Sequence, residues 1–206
     1  MNIQAPPSKL DRMSLELIIG PMFAGKTSAI QTIIRRHEAL GIKCVAYKPI
    51  IDNRFGEDSF IYNHDSVKVA AKSVNNLTAN RLTQEYNSAN LVIIEEGQFF
   101  LDLYDFVASA VEEDGKHVVV AGLDGDRFRK PFGQILSLIP IADKVTKLTA
   151  FCKRCAKDGN IIPALFTYGS IQSIRSVQIG GAEIYEPVCR VHYIASISQQ
   201  PPSQSS

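Results

Sequence analysis

Lys26 and Thr27 close the octet Gly20-Pro21-Met22-Phe23-Ala24-Gly25-Lys26-Thr27, which fits the phosphate-binding pattern G-x-x-x-x-G-K-[ST]. Each position has a physical purpose. Glycine lets the backbone turn tightly enough for successive N–H groups to point inward at phosphate oxygens, and a helix that follows brings its positive dipole end to the same point. Lys26 would reach the terminal phosphates and Thr27 would ligate Mg²⁺. The pattern requires a strand before it and a helix after it, and both are offered: the apolar run Leu15-Glu16-Leu17-Ile18-Ile19 precedes and the helix-compatible Ser28 to His37 follows. The chemistry implied is binding of a nucleoside triphosphate with magnesium.

Glu95-Glu96 follows the apolar run Leu91-Val92-Ile93-Ile94. In a phosphate-loop protein, an acidic residue at the carboxyl end of such a strand faces the magnesium-bound phosphates, and a second can act as a base. Adjacent residues on an extended chain point to opposite sides, which gives Glu95 the metal side and Glu96 the proton chemistry. A third signal is Cys152-x-x-Cys155, then 33 residues, then Cys189-x-x-His192. Two such knuckles make a Cys₃His set suited to a closed, structural Zn²⁺ site. Cys44 lies in a strand-like run and reads as a small buried hydrophobe.

The elements that must position these groups alternate between strand and helix, the pattern of a parallel sheet covered on both faces. Cys44-Val45-Ala46-Tyr47 reads as a second strand stopped at Pro49, Leu91 to Ile94 as a third, and Val118-Val119-Val120-Ala121 as a fourth. Phe99, Leu103, Phe106, Val107 and Ala110 recur at helical spacing, so a helix is expected over Phe99 to Glu113, ending near Gly115. Ile51 to Ser66 is polar and reads as a mobile loop near the ligand, Met1 to Arg12 as a loose arm without a signal-peptide layout, and Ile194 to Ser206 as a disordered tail. With 206 residues there is room for one medium domain with a small accessory module. Lys plus Arg number 22 against 21 Asp plus Glu, a balance that argues against bulk binding to nucleic acid or anionic lipid. No apolar run is long enough to span a bilayer, and four cysteines without an export signal suit thiols or metal ligands in a reducing compartment.

Together with Asp52-Asn53-Arg54, His64-Asp65, Glu96-Gly97-Gln98-Phe99-Phe100, Leu123-Asp124-Gly125, Arg129-Lys130-Pro131-Phe132-Gly133, Val145-Thr146-Lys147-Leu148-Thr149-Ala150, Ile179-Gly180-Gly181-Ala182 and Tyr185, these motifs resemble the thymidine kinases of the cellular and poxviral type over residues 14 to 193. The resemblance implies an α/β fold, a phosphate-loop parallel sheet flanked by helices with a small zinc-ribbon domain, divided as arm 1–13, nucleotide-binding domain 14–148, zinc-ribbon and lasso-loop domain 149–193 and tail 194–206. It implies transfer of the γ-phosphate of ATP to the 5′-hydroxyl of thymidine or deoxyuridine, with Glu96 as base. Gly20 through Thr27, Asp52, Asn53, Arg54, Glu95 and Gln98 would meet ATP, with Thr27 and Glu95 on magnesium. The nucleoside would be held by Met22, Phe99, Leu123, Arg127, Phe128, Phe132, Thr167 and Tyr185, and its base edge read by backbone of Ser176, Val177, Gln178, Ile179 and Gly180. Structural zinc would sit on Cys152, Cys155, Cys189 and His192. A cytoplasmic homotetramer, inhibited by thymidine triphosphate and binding neither membrane nor nucleic acid, completes the expectation.

Three positions depart from the family pattern. Glu95 stands where aspartate is usual, and its extra methylene allows coordination through water. His192 replaces a cysteine. Arg127 occupies the place of an aromatic on the thymine ring, with Phe128 beside it; because burying an unpaired guanidinium is costly, Phe128 is expected to close the pocket and Arg127 to face solvent. The competing reading is a phosphate-loop ATPase whose zinc ribbon binds nucleic acid through Arg127, Arg129, Lys130, Lys153 and Arg154.

Overall fold

The computed structural model describes residues 13–51, 60–62, 68–169 and 184–198. The motif positions 52–54, 64–65 and 176–182, the arm 1–12 and the tail beyond 198 lie outside the described residues. Six strands form a parallel sheet: β1 (Ser14–Ile19), β2 (Cys44–Pro49), β5 (Lys72–Val74), β6 (Leu91–Ile94), β7 (His117–Gly122) and β8 (Lys144–Lys147), in the order β5-β2-β6-β7-β1-β8. Between β2 and β5 lies a hairpin of β3 (Phe60–Tyr62) and β4 (Lys68–Ala70).

Alternation along the central strands decides what covers each face. Leu17, Val92, Ile94, Val118 and Val120 point to one side, where Leu103 and Phe106 of α3 (Leu103–Ala108) and Ile135 and Leu138 of a 3₁₀ segment, Ile135–Ile141, pack on them. Ile18, Ala46, Ile93, Val119 and Ala121 point to the other, against Ile30 and Ile34 of α1 (Lys26–Glu38) and Ile61 of β3. A short α2 (Gln84–Ser88) leads into β6, capped by the Thr83 hydroxyl, which accepts from the Tyr86 N–H.

After β8 the chain builds a smaller unit from β9 (Ala150–Phe151), α4 (Lys153–Lys157), β10 (Pro163–Ala164), β11 (Phe166–Gly169), β12 (Tyr185–Val188) and α5 (Arg190–Ser198). Strands β9 and β10 pair antiparallel, as do β11 and β12. Its core is Ala150, Cys152, Ala164, Val188, Cys189 and Tyr193, and Phe23 and Ala24 of the phosphate loop pack against it.

Several boundaries differ from the sequence expectation. The helix expected from Phe99 begins at Leu103, because Glu96 takes a left-handed conformation and Gly97–Phe99 forms a separate 3₁₀ turn; its end, Ser109–Glu113, is a π-helical turn. Pro49 is the last residue of β2 rather than the residue beyond it, and Phe60–Tyr62, within the segment read as a loop, is a strand. Ile194 to Ser198, expected to be disordered, continue α5, where Ser196 is buried under the Arg154 guanidinium, which donates to its hydroxyl at 2.6 Å. Cys44 is only half-buried, its thiol raised to about 11 by burial and by Glu38.

At the sheet's amino-terminal edge, far from the phosphate loop, polar groups fix the approach to β6 and β7. Asp114 accepts from Arg81 Nε and Nη2, each at 2.9 Å, and from the Tyr86 hydroxyl at 2.6 Å. Lys116 is buried and donates to the carbonyls of Tyr86, Asn87 and Ala89 at the end of α2. Burial pulls the Asp114 pKa upward, but the Arg81 and Tyr86 hydrogen bonds outweigh it and the carboxyl lies below its ordinary value. A depressed folded-state pKa contributes stability that is present above the unfolded pKa and lost as pH falls through the folded one. Asp114→Ala should therefore destabilise the fold by about 1–3 kcal/mol at neutral pH, by stranding the Tyr86 hydroxyl and leaving the Arg81 guanidinium only its bond to Glu113. The gap between the variant and the parent should close as pH falls below the carboxylate range, which thermal melts over a pH series will read.

Candidate active site and metal centre

Gly20, at φ 148°, ends β1 where a Cβ would overlap the Leu148 carbonyl oxygen, so the loop turns against the backbone that leaves β8. Gly25, at φ 82°, reverses the chain into α1. The Lys26 ammonium donates back to the carbonyls of Pro21 at 2.8 Å and Gly20 at 3.1 Å, so the cation lies over its own loop. Met22 is anchored from the smaller unit: its N–H donates to the Thr167 hydroxyl on β11 at 2.9 Å.

Strand β6 delivers the two carboxylates to this place. Glu95 extends the ladder, its N–H donating to the Tyr47 carbonyl at 2.9 Å, and its buried carboxylate accepts from the Thr27 hydroxyl at 2.6 Å. Phosphate loop and carboxylate are thus one hydrogen bond apart, the arrangement expected for a pair that shares a divalent cation. Glu96 then leaves the strand at φ 50°, ψ 44°, a left-handed conformation that costs a non-glycine residue energy. Its Oε2 accepts from the Gln98 side-chain amide at 2.6 Å.

Beside these groups are the residues expected to hold a nucleoside. Phe99 and Phe132 meet edge to face, centroids 5.4 Å apart. The Leu123 N–H, just past β7, donates to Gln98 Oε1 at 3.0 Å. Tyr185 is buried, paired with Gly169 across β11 and β12, and a side chain at Gly169 would run into the Tyr185 ring. The carbon chain of Arg127 approaches the same glycine.

In exposure, Arg127 and Phe128 differ from the expectation. Phe128 is 51% exposed, whereas Arg127 is partly buried beside Gly169, its carbonyl accepting from the Tyr193 hydroxyl at 2.8 Å. The turn explains this. Asp126 Oδ1 accepts from the N–H groups of Phe128 and Lys130, which folds the chain tightly enough to place Arg129 at φ 63° and to turn Phe128 outward, where its ring lies 4.8 Å from the Arg127 guanidinium. An aspartate whose carboxylate accepts from N–H groups two and four residues on is a turn signal that the sequence carries. An ion pair 2.6 Å long joins Asp124, two residues past β7, to Lys147, the last residue of β8.

Cys152 and Cys189 each stand immediately before a short helix, and Cys155 on α4 and His192 on α5 follow three residues later, so each pair presents both ligands from one helix start. The four ligand atoms lie within 4.8 Å of one another. His192 Nδ1 is 3.4 Å from Cys152 Sγ, 3.3 Å from Cys155 Sγ and 3.4 Å from Cys189 Sγ, and Cys155 and Cys189 are 3.8 Å apart. Tetrahedral bonds of the usual lengths to zinc separate S from S by about 3.8 Å and S from N by about 3.6 Å, so the donor set fits such an ion. Electrostatics agree. Burial opposes ionisation of Cys152, but N–H groups of Cys155 and Cys189 bring its thiol down to about 6, while burial and the neighbouring sulfurs push Cys155 up to about 12. Converging thiolates repel one another, and a divalent cation is what lets all ionise together.

Two of the basic residues in the nucleic-acid reading, Arg154 and Arg129, are engaged by side chains of the smaller unit. Arg154 donates to Glu186 Oε1 from Nε and Nη2 and lies 5.0 Å from the Tyr168 ring, and Arg129 stacks 4.5 Å from the Tyr193 ring.

A family model described as thymidine kinase matches residues 13–193. The chain is 43% identical to a thymidine kinase of Oryza sativa subsp. japonica over 87% of its own length and 66% of that protein's. It is 39% identical to thymidine kinase a of Arabidopsis thaliana, covering 89% of this chain and 76% of the relative. Against the thymidine kinase of Monkeypox virus it is 39% identical over 88% of this chain and 97% of the viral protein.

Replacing Cys189 with serine leaves three strong donors. The variant should lose bound metal, read by elemental analysis, and melt at a lower temperature, because binding energy at a closed site is folding energy. A parent protein that is folded without any bound metal would count against a metal-holding Cys₃His cluster.

Proposed function

The chain belongs to the thymidine kinase family, and from that membership we propose that it transfers the γ-phosphoryl group of ATP to the 5′-hydroxyl of thymidine or deoxyuridine. The observation that carries the catalytic reading is the 2.6 Å contact between Thr27 and Glu95, which joins the phosphate loop to the carboxylate end of β6. Glu96 takes the proton of the 5′-hydroxyl as the oxygen–phosphorus bond forms; the bond from the γ-phosphorus to the bridging oxygen breaks, and ADP leaves. Lys26 turns from the carbonyls of its own loop to the phosphates, and backbone N–H groups of Gly20 through Thr27 bind their oxygens. Thr27 and Glu95 would hold magnesium, which neutralises the charge that develops on the phosphates. Asp52, Asn53 and Arg54 complete the phosphate contacts and the backbone of Ser176 to Gly180 reads the base edge; both segments lie outside the described residues.

Zinc on Cys152, Cys155, Cys189 and His192 is structural, since four protein ligands leave no open position. Met22, Phe99, Leu123, Phe132, Thr167 and Tyr185 enclose the thymine ring, with Arg127 at its side. The family likeness also supports a homotetramer, inhibition by thymidine triphosphate and a cytoplasmic setting; among the described residues no helix is long and apolar enough to cross a membrane. The proposed boundary at residue 148 coincides with the change from the parallel sheet to the smaller core, whereas α5 continues past the boundary at 193 to Ser198.

Glu96→Gln keeps shape and removes the proton acceptor. Turnover should fall roughly 10²–10⁴-fold with thymidine KM nearly unchanged. Formation of thymidine monophosphate from labelled ATP is the assay, and near-normal turnover would remove Glu96 from the role of base. A second pair of variants addresses the pocket wall. Because Arg127 is the more enclosed of the two, Arg127→Ala should raise thymidine KM more than Phe128→Ala; the opposite order would return the ring contact to Phe128.

A further inference from the structure

We propose that Gln98 is a positioning residue whose side-chain amide fixes the direction of the Glu96 carboxylate, an inference that rests on Glu96 being the base. Gln98 is 3% exposed and both ends of its amide are occupied. Oε1 accepts from the Leu123 N–H at 3.0 Å, which orients the amide, and leaves Nε2 to donate to Glu96 Oε2 at 2.6 Å. One side chain therefore ties the end of β7 to the residue that leaves the end of β6.

The surroundings permit little other placement. A Cβ at Gly122 would overlap Gln98 Oε1, and a Cβ at Gly133 would overlap the Gln98 carbonyl oxygen. Glycine at these two positions is the room that Gln98 occupies, so the residue is boxed on both its amide and its backbone sides. The left-handed backbone of Glu96 takes it out of the strand ladder, and the hydrogen bond from Gln98 narrows the rotamers that its side chain samples. A base must meet its proton within hydrogen-bond reach, and a displacement of about 1 Å can cost a hundredfold in rate. Gln98 is also buried rather than open to a nucleotide, so the structure favours this role over direct contact with ATP.

The test is a mutant cycle on the full-length protein. Gln98→Met, close in shape but without donor or acceptor, should lower kcat about tenfold to a hundredfold with KM for ATP and thymidine within about threefold of the parent. Gln98→Asn keeps a polar amide but is one methylene too short to reach both partners; it should show the same split, and it serves if the methionine variant fails to fold. In the Glu96→Gln background, adding Gln98→Met should change turnover by no more than about threefold, since no base remains to be aimed. Parent-like kcat in a folded Gln98 variant overturns the proposal. So does a rise confined to the ATP KM, which would make Gln98 a nucleotide contact, or a full multiplicative loss in the double variant, which would make it a general structural support. Failure of the base assignment itself would appear separately, as near-normal turnover of Glu96→Gln alone.

Discussion

A buried carboxylate one hydrogen bond from a phosphate-binding loop would repel a polyphosphate bound there unless a cation lay between them. Two like charges about 4 Å apart repel by about 1 kcal/mol in water and about 4 kcal/mol at the effective dielectric near a protein surface. The 2.6 Å contact from Thr27 to Glu95 sets a carboxylate where a cation shared with a bound polyphosphate would relieve that repulsion. The fold exists to bring these groups together. Strands β1 and β6 run parallel with β7 between them, so the loop after β1 and the carboxylates after β6 emerge on the same edge. The chain leaving β7 must then pass between them, and Gly122 at its end leaves the space that Gln98 fills.

The same crowding separates the roles of two adjacent glutamates. Along a continuing strand, neighbours alternate, which would by itself give Glu95 and Glu96 opposite sides. The structure goes further by ending the strand between them: Glu95 still bonds to Tyr47 as a ladder residue, while Glu96 turns left-handed. Strain at a non-glycine position persists only where neighbours hold it, and here the hydrogen bond from Gln98 and the packing of Phe100 and Leu103 into the core on the following residues do so.

That turn also marks where the sequence stopped being readable. The central strands, the phosphate loop, α1 and the Cys₃His cluster were legible because each rests on local chemistry: continuous apolar runs buried on both faces, a glycine pattern, ligands three residues apart. Phe99 fell on the helical period of Leu103 and Phe106, yet it stacks on Phe132, a residue brought near only by the tertiary fold. Edge strands β5 and β8 were missed for a different reason. Lys72-Ser73-Val74 and Lys144-Val145-Thr146-Lys147 are short and polar, as edges exposed to water must be, and carry no apolar alternation to detect. The exposure of Arg127 and Phe128 was not legible because it depends on Asp126 closing the turn, not on the burial cost of either side chain.

The metal-ligand cluster belongs in the same account as the phosphate loop rather than beside it. Phe23 and Ala24 pack on the core that contains Cys152 and Cys189, and the Met22 N–H is held by Thr167 on β11, whose antiparallel partner β12 leads directly into Cys189. A loop that presents backbone N–H groups to phosphate cannot satisfy them all within itself, and it gains its shape from what lies behind it. Here that backing is the small core around the ligand cluster, and a metal held there would add its binding energy to folding. Through that packing the cysteines and histidine would stiffen the surface against which the phosphate loop is cast.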